Sequence, residues 1–159
     1  MTIKIPITLA GFTQLQEEIR VLKTIERPAV TQELSESRGH GDLKENAEYH
    51  AARERQSFIE GRILDLEDRL SRVDVIDPAK MTGRTVKFGA TVKVVDEESN
   101  EEHTYQIVGE YEANFEKGKL SLTAPLSRAL IGKTVGDTVE VTDHRGRFHL
   151  TRLVVTVPG

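Results

Sequence analysis

The chain has 159 residues, of which 37% are hydrophobic and 30% charged. That balance points to one domain or two small ones with much exposed surface, not to a single large core. With no cysteine, disulfides, thiol nucleophiles, iron–sulfur clusters and Cys-ligated zinc are excluded. The net charge of -4 is uneven: residues 1–77 hold 11 basic and 15 acidic side chains, and residues 78–159 hold 11 of each. Nothing supplies the basic excess that stand-alone DNA binding requires.

The N-terminal stretch MTIKIPITLAGF carries Lys4 and Pro6 and has no long apolar run, so it does not read as a signal peptide. No stretch approaches 18 apolar residues. A cytoplasmic protein without a membrane partner is expected. From Phe12 to Arg38 there is no glycine, and apolar residues fall at Phe12, Leu15, Ile19 and Leu22, then at Ile25, Ala29, Val30 and Leu34. Steps of three and four predict a helix with one apolar stripe. Thr8 reads as its N-cap, and Pro28 should bend it or loosen one turn. Arg38-Gly39-His40-Gly41-Asp42 has the chemistry of a turn, with Asp42 able to cap a helix beginning at Leu43.

A second helical pattern runs from Leu43 to Val73, with Ala52, Ile59, Ile63, Leu66, Leu70 and Val73 as its stripe. Its later steps have heptad spacing. Two long helices joined by a short turn must lie antiparallel. The expectation for residues 1–77 is therefore a coiled-coil hairpin with the turn at its tip. Residues 78–83 read as a linker. The hydrophobic period then changes to two. Strands are predicted at Thr85–Phe88, Thr91–Val95, His103–Val108, Leu120–Leu122, Thr138–Val141 and Phe148–Val157, with hairpin loops at Asp96–Glu102 and at His144–Gly146. A short helix is predicted near Ser127–Ile131. Residues 84–159 thus form a small antiparallel β domain, and the fold class is α+β.

The most distinctive local sequence is the run HGDLKENAEYHAARE from His40 to Glu54. Asp42 and Glu45 are three apart at a predicted helix start, about one turn from each other. Two such carboxylates can share a hard cation, and Mg²⁺ is commonly held by one or two carboxylates plus phosphate oxygens and water. Asp-x-x-Glu at a helix start also has the form of a capping box, and acids there complement the helix dipole. Two carboxylates alone bind Mg²⁺ poorly, so a metal role needs ligands from a partner. Arg38, Lys44, Arg53 and Arg55 gather near the same tip, either as solvated helix-face charges or as contacts to a nucleic-acid phosphate. The five histidines form no H-E-x-x-H or i,i+4 pair, and no P-loop, dinucleotide glycine motif or G-x-S-x-G is present. The residues offer no self-contained active site.

That run, followed by Glu60-Gly61-Arg62-Ile63, resembles the bacterial transcript cleavage factors of the Gre family, and within it the GreA type. The resemblance extends to Arg27-Pro28, to Phe88-Gly89-Ala90-Thr91-Val92, to Tyr105-Gln106-Ile107-Val108-Gly109 and to the segment from Ala124 to Lys133. Ala124 stands where the family often has Ser. The resemblance implies a hairpin joined to a C-terminal domain of FKBP-like fold. It also implies a monomeric elongation factor that docks on RNA polymerase and reaches down the secondary channel. There the polymerase cleaves the RNA 3′ end of a backtracked complex. The factor is not itself an enzyme and stimulates the endonucleolytic activity of the polymerase. Carried over by motif, Asp42 and Glu45 are the tip acids that help hold a second Mg²⁺ at the polymerase active site. Arg38, Lys44 and Arg53 contact RNA or polymerase, and Pro125, Ser127 and Arg128 lie at the docking surface. A non-cleaving inhibitor that enters the same channel is the alternative, and it should depart from the two-acid tip. A prolyl isomerase, suggested by the implied fold, would want a cluster of aromatics, and this half has only Phe88, Tyr105, Tyr111, Phe115 and Phe148.

Overall fold

A computed structural model describes residues 4–40, 46–80, 83–97, 99–141 and 151–156. The described chain divides into two compact units. One is Phe12–Val73; the other joins residues 4–11 to the residues from Asp74 onward. The sequence reading assigned residues 1–77 to the hairpin. The contacts instead group the first strand with the C-terminal unit, because Ile7 is fully buried and Pro6 lies against Gly109 there.

The hairpin unit is built from α1 (Leu9–Val21) from Phe12 onward, α2 (Arg27–Ser37) and α3 (Ala47–Ser71). Between α1 and α2 the helix widens into a π turn at Leu22–Glu26, where the Arg27 N–H reaches back five residues to the Leu22 carbonyl. This is the loosened turn expected from Pro28, which cannot donate a backbone hydrogen bond and would press its ring on the carbonyl four residues before it. The wide turn consumes one extra residue, and that corrects the predicted stripe. Leu15 and Leu22 are buried on one side of it and Val30, Leu34 and Ser37 on the other. Leu22 and Val30 are eight apart instead of seven. Ile25 is 54% exposed and Ala29 also faces water. An unbroken α-helix in phase with Leu22 would have turned Glu26, Glu33 and Glu36 toward the partner helix. The π turn brings Val30 and Leu34 there instead.

On α3 the buried residues are Ala52, Ile59, Ile63 and Leu66, with Leu70 partly buried. Ion pairs cross between the helices along the flanks of this stripe. Arg62 binds Glu18 through two contacts of 2.8 and 3.2 Å, and Arg27 binds Glu60 through two of 2.7 and 2.9 Å. Arg55 meets Glu33 at 2.5 Å, and Lys23 pairs with Glu67. Each such surface pair adds little stability. Together they favour one antiparallel register, since a slip would break them in concert.

The second unit holds two sheets. β1 (Ile5–Thr8) pairs with β2 (Val73–Ile76). The other sheet has five strands in the order β5-β4-β3-β7-β6, made of β3 (Thr91–Asp96), β4 (Glu102–Val108), β5 (Lys119–Ser121), β6 (Thr138–Val141) and β7 (Thr151–Thr156). Val92 lies opposite Tyr105 and Val94 opposite His103 across the β3–β4 pair. One face carries Val92, Val94 and Ile107, which pack with Val86, Val139 and Leu130; Leu130 comes from the short helix α4 (Pro125–Leu130).

Two predictions for this unit are corrected. The β4–β5 pair is parallel, so the sheet is mixed. Residues 109–118 leave β4, pass through a 3-10 turn at Phe115–Lys117 and return in the same direction after Gly118, whose φ is 74°. The Thr85–Phe88 segment is no strand. Thr85 makes a single bridge to Thr134, and the chain then turns at Gly89, where φ is 85°. The predicted loop at His144–Gly146 lies outside the described residues, as do Phe148 and Val157 at the ends of the last predicted strand.

Candidate functional site

The tip of the hairpin is framed by described residues on both sides. α2 gives way to a 3-10 turn at Arg38–His40, and Arg38 is exposed there. On the return side Asn46 is the N-cap of α3. Its backbone is extended, and its side-chain oxygen accepts from the Tyr49 N–H at 3.1 Å. Its amide nitrogen donates to the Ser37 carbonyl at 2.6 Å, across to the end of α2. One side chain thus starts the second helix and ties it to the end of the first. This corrects the sequence reading, in which the helix begins at Leu43 and Asp42 caps it. Asn46 was missed because Asp42, four residues earlier, offers the same capping chemistry.

Asp42, Lys44 and Glu45 lie outside the described residues. Arg53 is exposed on α3, and Arg55 on the same helix is engaged with Glu33. An open groove of roughly 440 Å³ near this end is lined by Glu33, Glu36 and Glu48, with Ser37, Ala51, Ala52 and Arg55. Three glutamates and one arginine line that groove, and Arg55 neutralises one of them, Glu33. Among the described residues no three His, Asp or Glu side chains are grouped to hold a metal ion.

In the C-terminal unit, Pro125 is the first residue of α4 and is exposed, and Arg128 is exposed one turn on. Ser127, predicted with them at a docking surface, is fully buried beneath α4, and its hydroxyl has no partner among the described residues. Helical spacing explains the split. Ser127 and Leu130 are three apart on the face turned to the sheet, while Pro125 and Arg128 are three apart on the outer face. Ala124 is the N-cap of α4 and contributes no side-chain cap, although its carbonyl accepts from the Arg128 N–H at 3.0 Å. Beside α4 an open groove of roughly 730 Å³ is lined by Arg128, Ala129, Ile131, Lys133, Thr138, Val139 and Glu140.

A third cluster, at Glu112, was not anticipated from the sequence. Glu112 accepts from the Thr8 N–H at 2.8 Å and from the Gly109 N–H at 3.0 Å, and the Thr8 hydroxyl donates to it at 2.6 Å. Thr8 itself caps α1, as its sequence position predicted, by accepting from the Gly11 N–H at 3.1 Å.

Residues 5–75 match the model of the transcription elongation factor N-terminal domain, and residues 81–156 match that of the GreA/GreB C-terminal domain. Among curated proteins, a transcription elongation factor GreA of Cereibacter sphaeroides is 64% identical over 138 residues, covering 87% of this chain and 88% of the relative. The GreA of Caulobacter vibrioides is 57% identical over 143 residues, covering 90% and 91%. Among solved structures, the GreA factor homolog Gfh1 of Thermus thermophilus is 27% identical, covers 98% of this chain and 99% of its own, and has a TM-score of 0.43. The two models divide the chain in sequence order between the helical hairpin and the sheet, and the curated relatives run across both parts at high identity. On those grounds the chain belongs to the GreA/GreB family of transcription elongation factors.

Proposed function

We propose that this protein is a transcript cleavage factor. It enters the secondary channel of bacterial RNA polymerase and stimulates cleavage of the extruded RNA 3′ end in backtracked complexes, so that arrested elongation resumes. The polymerase performs the hydrolysis and the factor supplies the tip. The observation that carries this reading is the capping of α3 by Asn46 at the end of a two-helix hairpin. The family-like run from His40 to Glu54, which carries Asp42 and Glu45 in its sequence, spans that cap.

In this reading Asp42 and Glu45 are hard oxygen donors of the kind that suits Mg²⁺, and they need further ligands from the polymerase and the RNA. A second ion in phosphodiester hydrolysis activates water or stabilises the leaving oxygen. The ion belongs to the assembled complex, not to the free factor. Arg38, Lys44 and Arg53 contact the extruded RNA or the channel wall. Exposed Pro125 and Arg128 belong to the docking surface, and Ser127 supports α4 from below. The factor acts as a cytoplasmic monomer; among the described residues no helix is long and apolar enough to cross a membrane. The inhibitor alternative is not favoured, because both tip acids are retained and the curated relatives at 57–64% identity are named as elongation factors.

The test uses halted, backtracked elongation complexes with end-labelled RNA. Added protein should shorten the RNA and restore extension. Asp42→Ala and Glu45→Ala should each reduce cleavage by about 10²-fold or more, as loss of groups that stabilise developing charge typically does, and should keep near-normal polymerase binding. Cleavage by either variant at the wild-type rate would refute the tip mechanism.

A further inference from the structure

We infer that Phe58, Gly61 and Leu64 form an apolar docking notch on the shaft of the hairpin, which receives an uncharged, apolar side chain from the wall of the polymerase channel. The inference rests on the functional reading above, in which the hairpin enters that channel. The three residues follow at intervals of three along α3. Gly61 lies opposite the buried stripe of Ala52, Ile59, Ile63 and Leu66, with Phe58 and Leu64 about 60° to either side of it. Phe58 is 70% exposed and Leu64 68%. Residues three apart form a ridge on a helix surface, and a glycine in that row leaves a gap between its neighbours.

No contact among the described residues accounts for Gly61. Glycine is the poorest helix former after proline, yet α3 runs through it without a break. A Cβ there would meet nothing within 4 Å, so packing inside the chain does not require its absence. A bare backbone position serves where another surface approaches closely. Water alone would favour polar side chains on this outer face. The charges beside the notch are spoken for, because Asp65 pairs with Arg62 and Arg69, and Asp68 with Arg72. That self-neutralised flank suits an uncharged occupant. Phe58 and Leu64 together expose roughly 250 Å², against about 800 Å² on each side of a stable interface. The notch is therefore one part of a larger contact and too small to hold a second copy of this chain. A shaft inserted in a channel supplies that larger contact. Gly61 is ~22 Å along α3 from Asn46, so the notch acts on docking and leaves the chemistry of the tip alone.

The experiment measures direct binding of the full chain to RNA polymerase, and cleavage in backtracked complexes against factor concentration. Phe58→Ser and Leu64→Ser should each raise the dissociation constant and the half-saturating concentration by about tenfold. The saturating cleavage rate should stay within about twofold of wild type. Gly61→Gln fills the notch with a better helix former. It should raise the helical melting temperature and still weaken binding by about tenfold, a pairing that damage to the hairpin cannot produce. Ile25→Ser, at an exposed apolar position in the π turn, should leave binding unchanged. Wild-type affinity in Phe58→Ser, Leu64→Ser and Gly61→Gln would overturn the inference, as would an equal loss in Ile25→Ser. So would a wild-type dimer that Phe58→Ser dissociates, since the patch would then belong to a second copy. Failure of the wild-type chain to bind polymerase would defeat the inference together with the functional reading. Binding without cleavage would defeat the cleavage reading alone, and the measured affinities would still decide the notch.

Discussion

Ala124 shows how much one side chain can decide. It sits at the N-cap of α4 with an extended backbone and no side-chain acceptor, immediately before Pro125 at the first helical position. The geometry is ready for a capping hydroxyl. Ala124→Ser should stabilise the C-terminal unit by about 0.5–2 kcal/mol, measured by urea unfolding of the full chain. The ionic contacts of the hairpin make a different prediction. The hydrogen bond from Arg27 holds the Glu60 carboxyl below the usual carboxylate range, and Arg20 does the same for Glu17. Groups with depressed folded-state pKa values contribute stability above their ordinary range and lose it as pH falls through the folded values. The helical circular dichroism melt should therefore shift to lower temperature between about pH 5 and about pH 2. Glu60→Gln should reduce that dependence, and the change should be modest because both partners are exposed.

The π turn is the informative feature at the scale of elements. It inserts one residue between Leu22 and Val30 and so keeps two apolar segments in a single stripe. Deleting exposed Ile25 together with Pro28→Ala should convert this stretch to continuous α-helix and leave Leu22 and Val30 seven residues apart. Hairpin stability should then stay within about 1 kcal/mol of wild type or rise, since a proline in a regular helix costs about 3 kcal/mol. Deleting Gln32 instead would break the Val30–Leu34 step and should strongly lower the helical melting temperature. Equal effects of the two deletions would show that the wide turn does not set the register.

At the scale of the whole molecule, the described residues of each unit carry an apolar cluster of their own. One is the stripe ending at Leu66 on α3; the other surrounds Val92, Val94, Ile107 and Leu130. A side chain removed from one should not be felt directly in the other. Leu66 is fully buried, and Leu66→Ala should cost the hairpin about 2–5 kcal/mol. Far-ultraviolet dichroism at 222 nm should report a helical transition at lower temperature. The near-ultraviolet signal of Tyr105, stacked on Phe115 in the sheet unit, should keep its wild-type midpoint. A single coincident transition for both probes would mean that the clusters unfold as one.

Much of this architecture can be read along the chain, because local periodicity and turn chemistry report on neighbours within a few residues. The two hydrophobic periods separated the hairpin from the sheet. Thr8 announced a helix start, Pro28 a disturbed turn, and the run from His40 to Glu54 the tip. What tertiary structure decided involves partners far apart or choices between equivalent local signals. Ile25, Ala29, Val30 and Leu34 all have the spacing of buried residues, yet only packing against α3 selects Val30 and Leu34 among them. Asp42 and Asn46 are both good caps, and the Ser37 carbonyl on the facing helix is what Asn46 additionally binds. Ser127 reads like its neighbours until the sheet beneath α4 encloses it. Glu112 binds Thr8, the cap of α1, across 104 positions of chain, and the first strand belongs with the unit built from the far end of the chain. The sequence by itself therefore determined the parts and their chemistry, through spacing and propensity. Folding alone decided which side chains meet, because those contacts depend on the three-dimensional return of the chain.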